Sequence, residues 1–121
     1  EVLNNIGESV KGSKILVLGL AYKKNVDDTR ESPSLAIIDI LMKLGAEVQY
    51  ADPYIPFAPK TRKYCFELKS VDLTPKNIKS FDLILLSTDH DAFDYKLIAK
   101  EAKLIVDTRG IFRSSNNVFS S

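Results

Sequence analysis

Basic side chains cluster after the first and last apolar runs of the sequence. They are Lys23, Lys24, Arg30, Arg109 and Arg113. Ammonium and guanidinium groups bind phosphate through charge-assisted hydrogen bonds, each of which contributes about 1.5–3 kcal/mol. Tyr22, beside the lysines, could pack on a flat base or sugar. These residue types therefore indicate an anion-binding site, provided that the fold brings the two runs close together.

The same segment also allows a purely structural interpretation. Asp27, Asp28 and Glu31 could neutralise the cations as surface ion pairs, which contribute little to stability. Composition alone leaves both interpretations open. The net charge is only +1, from 17 basic and 16 acidic residues, so no overall field attracts polyanions and we expect no nucleic-acid partner.

Strands that alternate with helices would position these residues. Apolar patterns predict strands over 14–20, 47–51, 81–87 and 103–107, and a helix over 95–102. This alternation predicts an α/β, doubly wound, Rossmann-like three-layer fold with a mostly parallel sheet. The loops after parallel strands gather at one edge. That edge also receives polar residues from other loops, namely Asp52, Thr88, Asp89 and His90.

Capping residues mark two further helices. Ser32 followed by Pro33 is typical of a helix start, and Gly45 supplies the left-handed turn that ends that helix. Thr74 followed by Pro75 repeats the start signal. The prolines in residues 53–62 predict irregular structure there, and Tyr64 to Leu68 could form a short edge strand.

Size and composition fit a single globular domain. The chain has 121 residues, and no apolar run approaches the roughly 18 needed to cross a bilayer, so we expect no membrane partner. The start of the chain lacks a basic segment followed by an apolar stretch, and the single Cys65 cannot form an internal disulfide. We therefore expect a reducing, cytoplasmic setting. Because no base lies near it in sequence, Cys65 is expected to be an inert packing residue.

Several motifs then occur in a distinctive order. They are Gly-Leu-Ala-Tyr-Lys-Lys from Gly19, Asp-Asp-Thr-Arg-Glu-Ser-Pro from Asp27, Tyr-Ala-Asp-Pro from Tyr50, Thr-Asp-His from Thr88 and Asp-Thr-Arg from Asp107. Over about 12–113 the chain resembles the C-terminal, UDP-binding domain of the UDP-glucose/GDP-mannose dehydrogenase family. The resemblance implies three parts. Residues 1–12 would be the end of a linker helix from a missing middle domain, residues 13–113 the nucleotide-sugar-binding domain, and residues 114–121 a flexible tail.

The resemblance also implies a role for particular residues. Tyr22, Lys23 and Arg109 would bind the UDP-sugar, and Arg30 would reach across the interdomain cleft towards NAD. Supporting positions are Lys24, Asp28 and His90. Asp28 would orient Arg30, and His90 would fix its loop, although His90 could also be a solvated residue near a helix start. No residue of this chain is expected to be catalytic or to bind a metal.

The family oxidises the C6 hydroxyl of a sugar nucleotide to a carboxylate with NAD. This chain lacks both the Gly-x-Gly-x-x-Gly fingerprint and the family's catalytic cysteine motif, so the resemblance implies an inactive fragment. Its partners would be the NAD-binding and middle domains of the same polypeptide, and the whole protein would be a homodimer or larger. A UDP-sugar, and among these an N-acetylhexosamine, is favoured over GDP-mannose.

Two other classes of protein share this alternating pattern. A receiver-type signalling module needs acidic residues after its first strand to hold Mg²⁺, and Tyr22-Lys23-Lys24 at that position argues against it. A free-standing nucleotide-binding module with a regulatory role and no catalytic partner stays open from the sequence.

Overall fold

The computed structural model describes residues 11–23, 25–26, 28–29, 32–61, 63–108 and 118–120. Its strands are β1 Lys14–Leu18, β2 Glu47–Ala51, β3 Leu83–Leu86, β4 Ile105–Asp107 and β5 Val118–Ser120. Its helices are α1 Pro33–Lys43, α2 Pro75–Lys79 and α3 Tyr95–Glu101. Strands and helices alternate from β1 to β4, as the sequence predicts.

All five strands form one parallel sheet in the order β2-β1-β3-β4-β5. The ends of the central strands are in register, because Leu18 pairs with Ala51 on one side and with Leu86 on the other. The carboxyl ends therefore form a common edge, and the loops that follow them lie side by side. The Rossmann-like α/β class expected from the sequence is confirmed.

Each face of the sheet carries its own apolar core. Ile15 and Val17 of β1 belong to a cluster with Ile38 of α1, whereas Leu16 and Leu18 belong to a second cluster. The second cluster contains the buried side chains of α2 and α3, which are Ile78 and Ile98. Alternate residues of a strand point to opposite faces, so a sheet covered by helices on both sides needs the near-continuous apolar strands seen here.

The helix boundaries follow the capping residues. The Ser32 hydroxyl accepts a hydrogen bond from the Ser34 N–H, and the Thr74 hydroxyl accepts one from the Asn77 N–H. Each cap satisfies a backbone donor that the first helical turn leaves without a partner. After α1 the chain turns at Gly45, whose φ of +92° is the expected left-handed conformation. Both predicted helix starts are confirmed.

Three expectations are wrong. Residues 64–68 form no strand and make one isolated bridge, between Cys65 and Lys60. Cys65 is exposed rather than packed, because Tyr64, Phe66 and Leu68 turn towards the first core cluster and leave Cys65 on the outer side. Residues 118–120 were expected in a flexible tail, but they pair with β4 as β5. Residues 1–10 and 114–117 lie outside the described part of the chain.

Candidate functional site

The sheet has a topological switch point where its strand order reverses. The chain leaves β1 to form β2 on one side of it, whereas it leaves β3 to form β4 on the other side. The connections that follow β1 and β3 therefore lead to opposite sides of the sheet from the carboxyl ends of two adjacent strands. In open α/β sheets, ligands bind in this position. We call it the crevice, bordered by the described residues of Gly19–Thr29 and by Ser87–Asp94.

The two loops touch each other at Gly19. Its φ is +92°, and a Cβ atom built there would lie 2.4 Å from the Thr88 Cβ. Only glycine allows both this backbone conformation and this close approach. The Thr88 hydroxyl then donates to the Ala21 carbonyl over 2.8 Å, so the base of the crevice is a tight backbone contact between β1 and β3.

The Asp52 carboxylate connects β2 to the loop after β1. Its Oδ2 accepts hydrogen bonds from the Leu20 N–H at 2.7 Å and the Ala21 N–H at 3.1 Å, and its Oδ1 accepts from the Tyr54 N–H at 2.8 Å. The side chain is fully buried. The Gly19 N–H still donates to the Ala51 carbonyl of β2, whereas the two donors after it, the N–H groups of Leu20 and Ala21, turn to the Asp52 side chain. Pairing of this segment with β2 therefore stops just after Leu18.

His90 connects the loop after β3 to Asp52, which follows β2, and to the loop after β1. Its Nε2 lies 2.8 Å from the Asp52 Oδ2, and its Nδ1 accepts a hydrogen bond of 2.7 Å from the Asn25 N–H. The ring is fully buried between Tyr54, at 4.9 Å between ring centroids, and Phe93, at 5.5 Å. The alternative of a solvated His90 is therefore wrong, and the side chain binds the loop after β1 directly.

Asn25 completes the contact between the two loops. Its φ of 63° lies in the left-handed region, which asparagine tolerates better than most residues. Its Nδ2 donates to the Asp91 carboxylate at 2.7 Å, and its Oδ1 accepts from the Asp91 N–H at 2.9 Å. The asparagine thus closes a reciprocal pair of hydrogen bonds with the loop after β3.

Tyr22 and Lys23 are the predicted substrate-binding residues that the structure describes. Both side chains are exposed, Tyr22 by 49%, on the loop whose backbone Asp52, Thr88 and His90 hold. The Tyr22 N–H also donates to the Asp28 carbonyl at 2.6 Å. A cation and an aromatic ring are therefore exposed on a loop whose backbone is held by hydrogen bonds.

Other predicted site residues lie outside the described part of the chain. These are Arg109, Arg30 and Lys24, together with Arg113. The two strands that precede the basic residues, β1 and β4, lie in the same sheet with β3 between them. With strands about 4.8 Å apart, the loops after β1 and β4 start roughly 10 Å from each other. A ligand that meets both must extend across the end of β3.

Tyrosine hydroxyls stabilise the surroundings of the crevice. The Tyr95 hydroxyl donates to the His90 carbonyl, and burial, followed by the charges of Asp89, Asp91 and Asp107, raises the pKa of Tyr95. The Tyr50 hydroxyl donates to the Ile55 carbonyl at 2.8 Å. Burial and then the charge of Asp52 raise the pKa of Tyr50 to about 12. Both phenols stay neutral near pH 7 and act as hydrogen-bond donors.

Sequence reasoning missed the buried pair of Asp52 and His90. The two residues are 38 positions apart, and nothing local in the sequence links them. The available signal was positional, because Asp52 follows β2, His90 closely follows β3, and both strands end at the same edge. Within the described residues, no group of acidic, histidine and cysteine side chains could hold a metal, and no helix has the length and apolarity to cross a bilayer.

Comparison with known proteins gives one consistent family. A family model described as the UDP-glucose/GDP-mannose dehydrogenase family, UDP binding domain, matches residues 16–114. The UDP-N-acetyl-D-mannosamine dehydrogenase of Methanococcus maripaludis is 37% identical, over 90% of this chain and 25% of that protein. The UDP-glucose 6-dehydrogenase of Rhizobium meliloti is 32% identical, over 93% of this chain and 26% of that protein.

Solved structures of dehydrogenases also match this chain. The structure of a UDP-D-ManNAc dehydrogenase from Pyrococcus horikoshii matches 98% of this chain and 28% of its own, with a TM-score of 0.69 and 27% sequence identity. The chain thus spans about a quarter of the length of the relatives that it matches.

Proposed function

Because this chain belongs to the UDP-glucose/GDP-mannose dehydrogenase family, we propose that it is the substrate-binding domain of an NAD-dependent UDP-sugar 6-dehydrogenase. The whole protein would oxidise the C6 hydroxyl of a UDP-sugar to a carboxylate. This domain would hold the nucleotide, while NAD and the catalytic cysteine would belong to the parts of the polypeptide that its relatives have beyond this chain. The isolated chain would bind the nucleotide and would not catalyse.

The observation that carries the proposal is the exposed pair of Tyr22 and Lys23 on a backbone fixed at the crevice. Lys23 offers a compact positive charge for a phosphate, and Tyr22 offers a flat face for a base or ribose. Arg109 would complete the grip on the diphosphate from the loop after β4. A nucleoside diphosphate is long enough to span the end of β3 between the two loops.

The other family positions would act at the interface with the missing domains. Arg30 would reach the NAD, with Asp28 orienting its guanidinium, and Lys24 and His90 would support the loop. The described residues hold no alternative dinucleotide site of the glycine-rich kind, since the loop after β1 contains only Gly19. Binding of phosphate by side chains suits a substrate domain better than a cofactor domain.

The proposed substrate is a UDP-N-acetylhexosamine. The relative from Methanococcus maripaludis, which is named for UDP-N-acetyl-D-mannosamine, is 37% identical, against 32% for the relative named for UDP-glucose. We further propose that the whole protein is a homodimer or larger assembly. The cytoplasmic setting expected from the single Cys65 stays a prediction.

Titration calorimetry with UDP, GDP and NAD tests the proposal. We expect UDP to bind the chain, and Lys23→Ala or Arg109→Ala to weaken binding about tenfold each, because each loses a charge-assisted bond to phosphate of about 1.5 kcal/mol. Lys11→Ala is the matched control, since this exposed lysine precedes β1 at the opposite edge of the sheet. If all three variants bind UDP as tightly as the parent chain does, Lys23 and Arg109 do not belong to the site. If the parent chain binds NAD more tightly than UDP, the assignment as a substrate-binding domain is refuted.

A further inference from the structure

The segment that carries Tyr22 and Lys23 is held at both ends by one pair of buried side chains. Asp52 accepts a hydrogen bond from the Ala21 N–H before the segment, and His90 accepts one from the Asn25 N–H after it. The two side chains meet at 2.8 Å between the His90 Nε2 and the Asp52 Oδ2. Asp52, His90 and the segment therefore form a closed ring of hydrogen bonds.

This ring specifies one form of the imidazole. A backbone N–H can only donate, so the His90 Nδ1 that receives the Asn25 N–H must carry no proton. The proton of the neutral ring then lies on Nε2 and is donated to the Asp52 carboxylate. Each nitrogen of His90 thus has a separate function: Nε2 attaches the ring to Asp52, and Nδ1 positions the loop.

The pair is itself rigid. Both side chains are fully buried, and the second oxygen of Asp52 is fixed by the Tyr54 N–H. The imidazole ring packs against Tyr54 and Phe93. Since both side chains are buried and hydrogen-bonded, the position of Nδ1 is set by the residue after β2 and by the loop after β3, which lie outside the segment that it holds.

We propose that Asp52 and His90 are a positioning pair that sets where Tyr22 and Lys23 stand in the crevice. The inference rests on the proposed function, because it assigns these two exposed side chains to the nucleotide. His90 touches no substrate in this scheme. It acts through the Asn25 N–H, and its loss lets the end of the segment move so that Lys23 no longer meets a phosphate in a fixed place.

Two substitutions separate the functions of the two ring nitrogens. In His90→Asn, the Oδ1 atom stands close to the place of Nδ1 and can accept the Asn25 N–H, while the contact with Asp52 is lost. In His90→Gln, the amide nitrogen stands near the place of Nε2 and can donate to Asp52, while the acceptor for Asn25 is lost. Both variants replace the buried imidazole ring with a smaller side chain, so both are expected to lower the free energy of unfolding.

Amide hydrogen exchange and UDP binding provide the readouts. We expect the Asn25 amide to exchange at least tenfold faster in His90→Gln than in the parent chain, and to stay protected in His90→Asn. We expect UDP affinity to fall at least tenfold in His90→Gln and less than threefold in His90→Asn. Equal Asn25 exchange in the two variants, or an equal fall in UDP affinity, would overturn the proposal.

The unmodified chain supplies a test that depends on neither variant nor ligand. His90 is the only histidine, so a long-range ¹⁵N–¹H spectrum at neutral pH reports its tautomer without ambiguity. We expect a proton on Nε2 and none on Nδ1, and a proton on Nδ1 would overturn the inference. If the parent chain does not bind UDP, the proposed function fails, whereas the exchange and tautomer results still decide whether His90 positions the segment.

Discussion

Replacing Asp52 with asparagine tests how much the fold depends on one buried carboxylate. The side chain receives four donors, from Leu20, Ala21, Tyr54 and His90. Asparagine has one oxygen and one nitrogen in place of two oxygens. Its best orientation puts the oxygen towards the three donors at Oδ2, which turns its NH₂ group against the Tyr54 N–H.

The expected cost follows from these contacts. Loss of the hydrogen bond from Tyr54 removes a charge-assisted interaction of about 1.5–3 kcal/mol. The three other hydrogen bonds lose the negative charge of their acceptor and about half of their strength. A neutral amide is easier to bury than a carboxylate, which offsets part of the loss. We therefore expect Asp52→Asn to lower the free energy of unfolding by about 3 kcal/mol, which leaves a domain of ordinary stability folded.

Urea denaturation followed by far-ultraviolet circular dichroism measures this change. Asp72→Asn is the matched control, because Asp72 is exposed and we expect its substitution to change the free energy of unfolding by no more than about 0.5 kcal/mol. If Asp52→Asn is as harmless as Asp72→Asn, the buried hydrogen bonds at the crevice do not stabilise the fold and the reasoning is refuted.

Three further predictions concern other described residues. Gly19→Ala should lower the free energy of unfolding by more than about 3 kcal/mol, because the new Cβ clashes with Thr88 and the backbone has a positive φ. Gly12→Ala has the same backbone strain but open space around it, so it should cost only about 1–2 kcal/mol. Similar urea midpoints for the two variants would contradict this. Cys65 should react fully with iodoacetamide in the folded chain, because its side chain is exposed. UDP affinity should not change, because Cys65 lies in the segment after β2 and not in the loop that carries the proposed contacts. Slow alkylation would show that Cys65 is buried, and weakened UDP binding would show that it lies near the nucleotide. The raised pKa of Tyr50 means that the folded state keeps the phenolic proton to higher pH than the unfolded state, so the contribution of Tyr50 to stability should be constant below pH 10 and fall between pH 10 and about 12. Tyr50→Phe should make the alkaline fall in the free energy of unfolding less steep in urea titrations, and an unchanged slope would count against the burial argument.

Local chemistry explains which parts of this fold the sequence predicts well. The Ser32-Pro33 and Thr74-Pro75 pairs each combine a side-chain acceptor with a residue that lacks an N–H, and α1 and α2 begin at those positions. The apolar runs predict β1 and β3 because central parallel strands are buried on both faces. These signals arise within a few residues, so a single sequence is enough to identify them.

Features that depend on contacts between residues far apart in the sequence are harder to predict from a single sequence. The pairing of Asp52 with His90 needs the strand order to be known, because it joins loops from two strands that β1 separates. The same is true of β5, whose short sequence carries little local signal and whose pairing with β4 defines it. Cys65 was misjudged because its exposure depends on which side of the irregular segment faces the core.

Asp52 also holds both ends of the irregular segment that follows β2, residues 53–70, through hydrogen bonds. Its carboxylate receives the Tyr54 N–H, while its backbone exchanges two hydrogen bonds with the Ser70 hydroxyl. The segment is thus anchored at its base, and the exposed Lys63 lies in a turn that the Thr61 N–H closes on the Tyr64 carbonyl. Extra residues inserted in that turn would carry an entropic penalty that rises only slowly with length. We therefore expect this segment to tolerate changes in length while the carboxyl edge of the sheet keeps its shape.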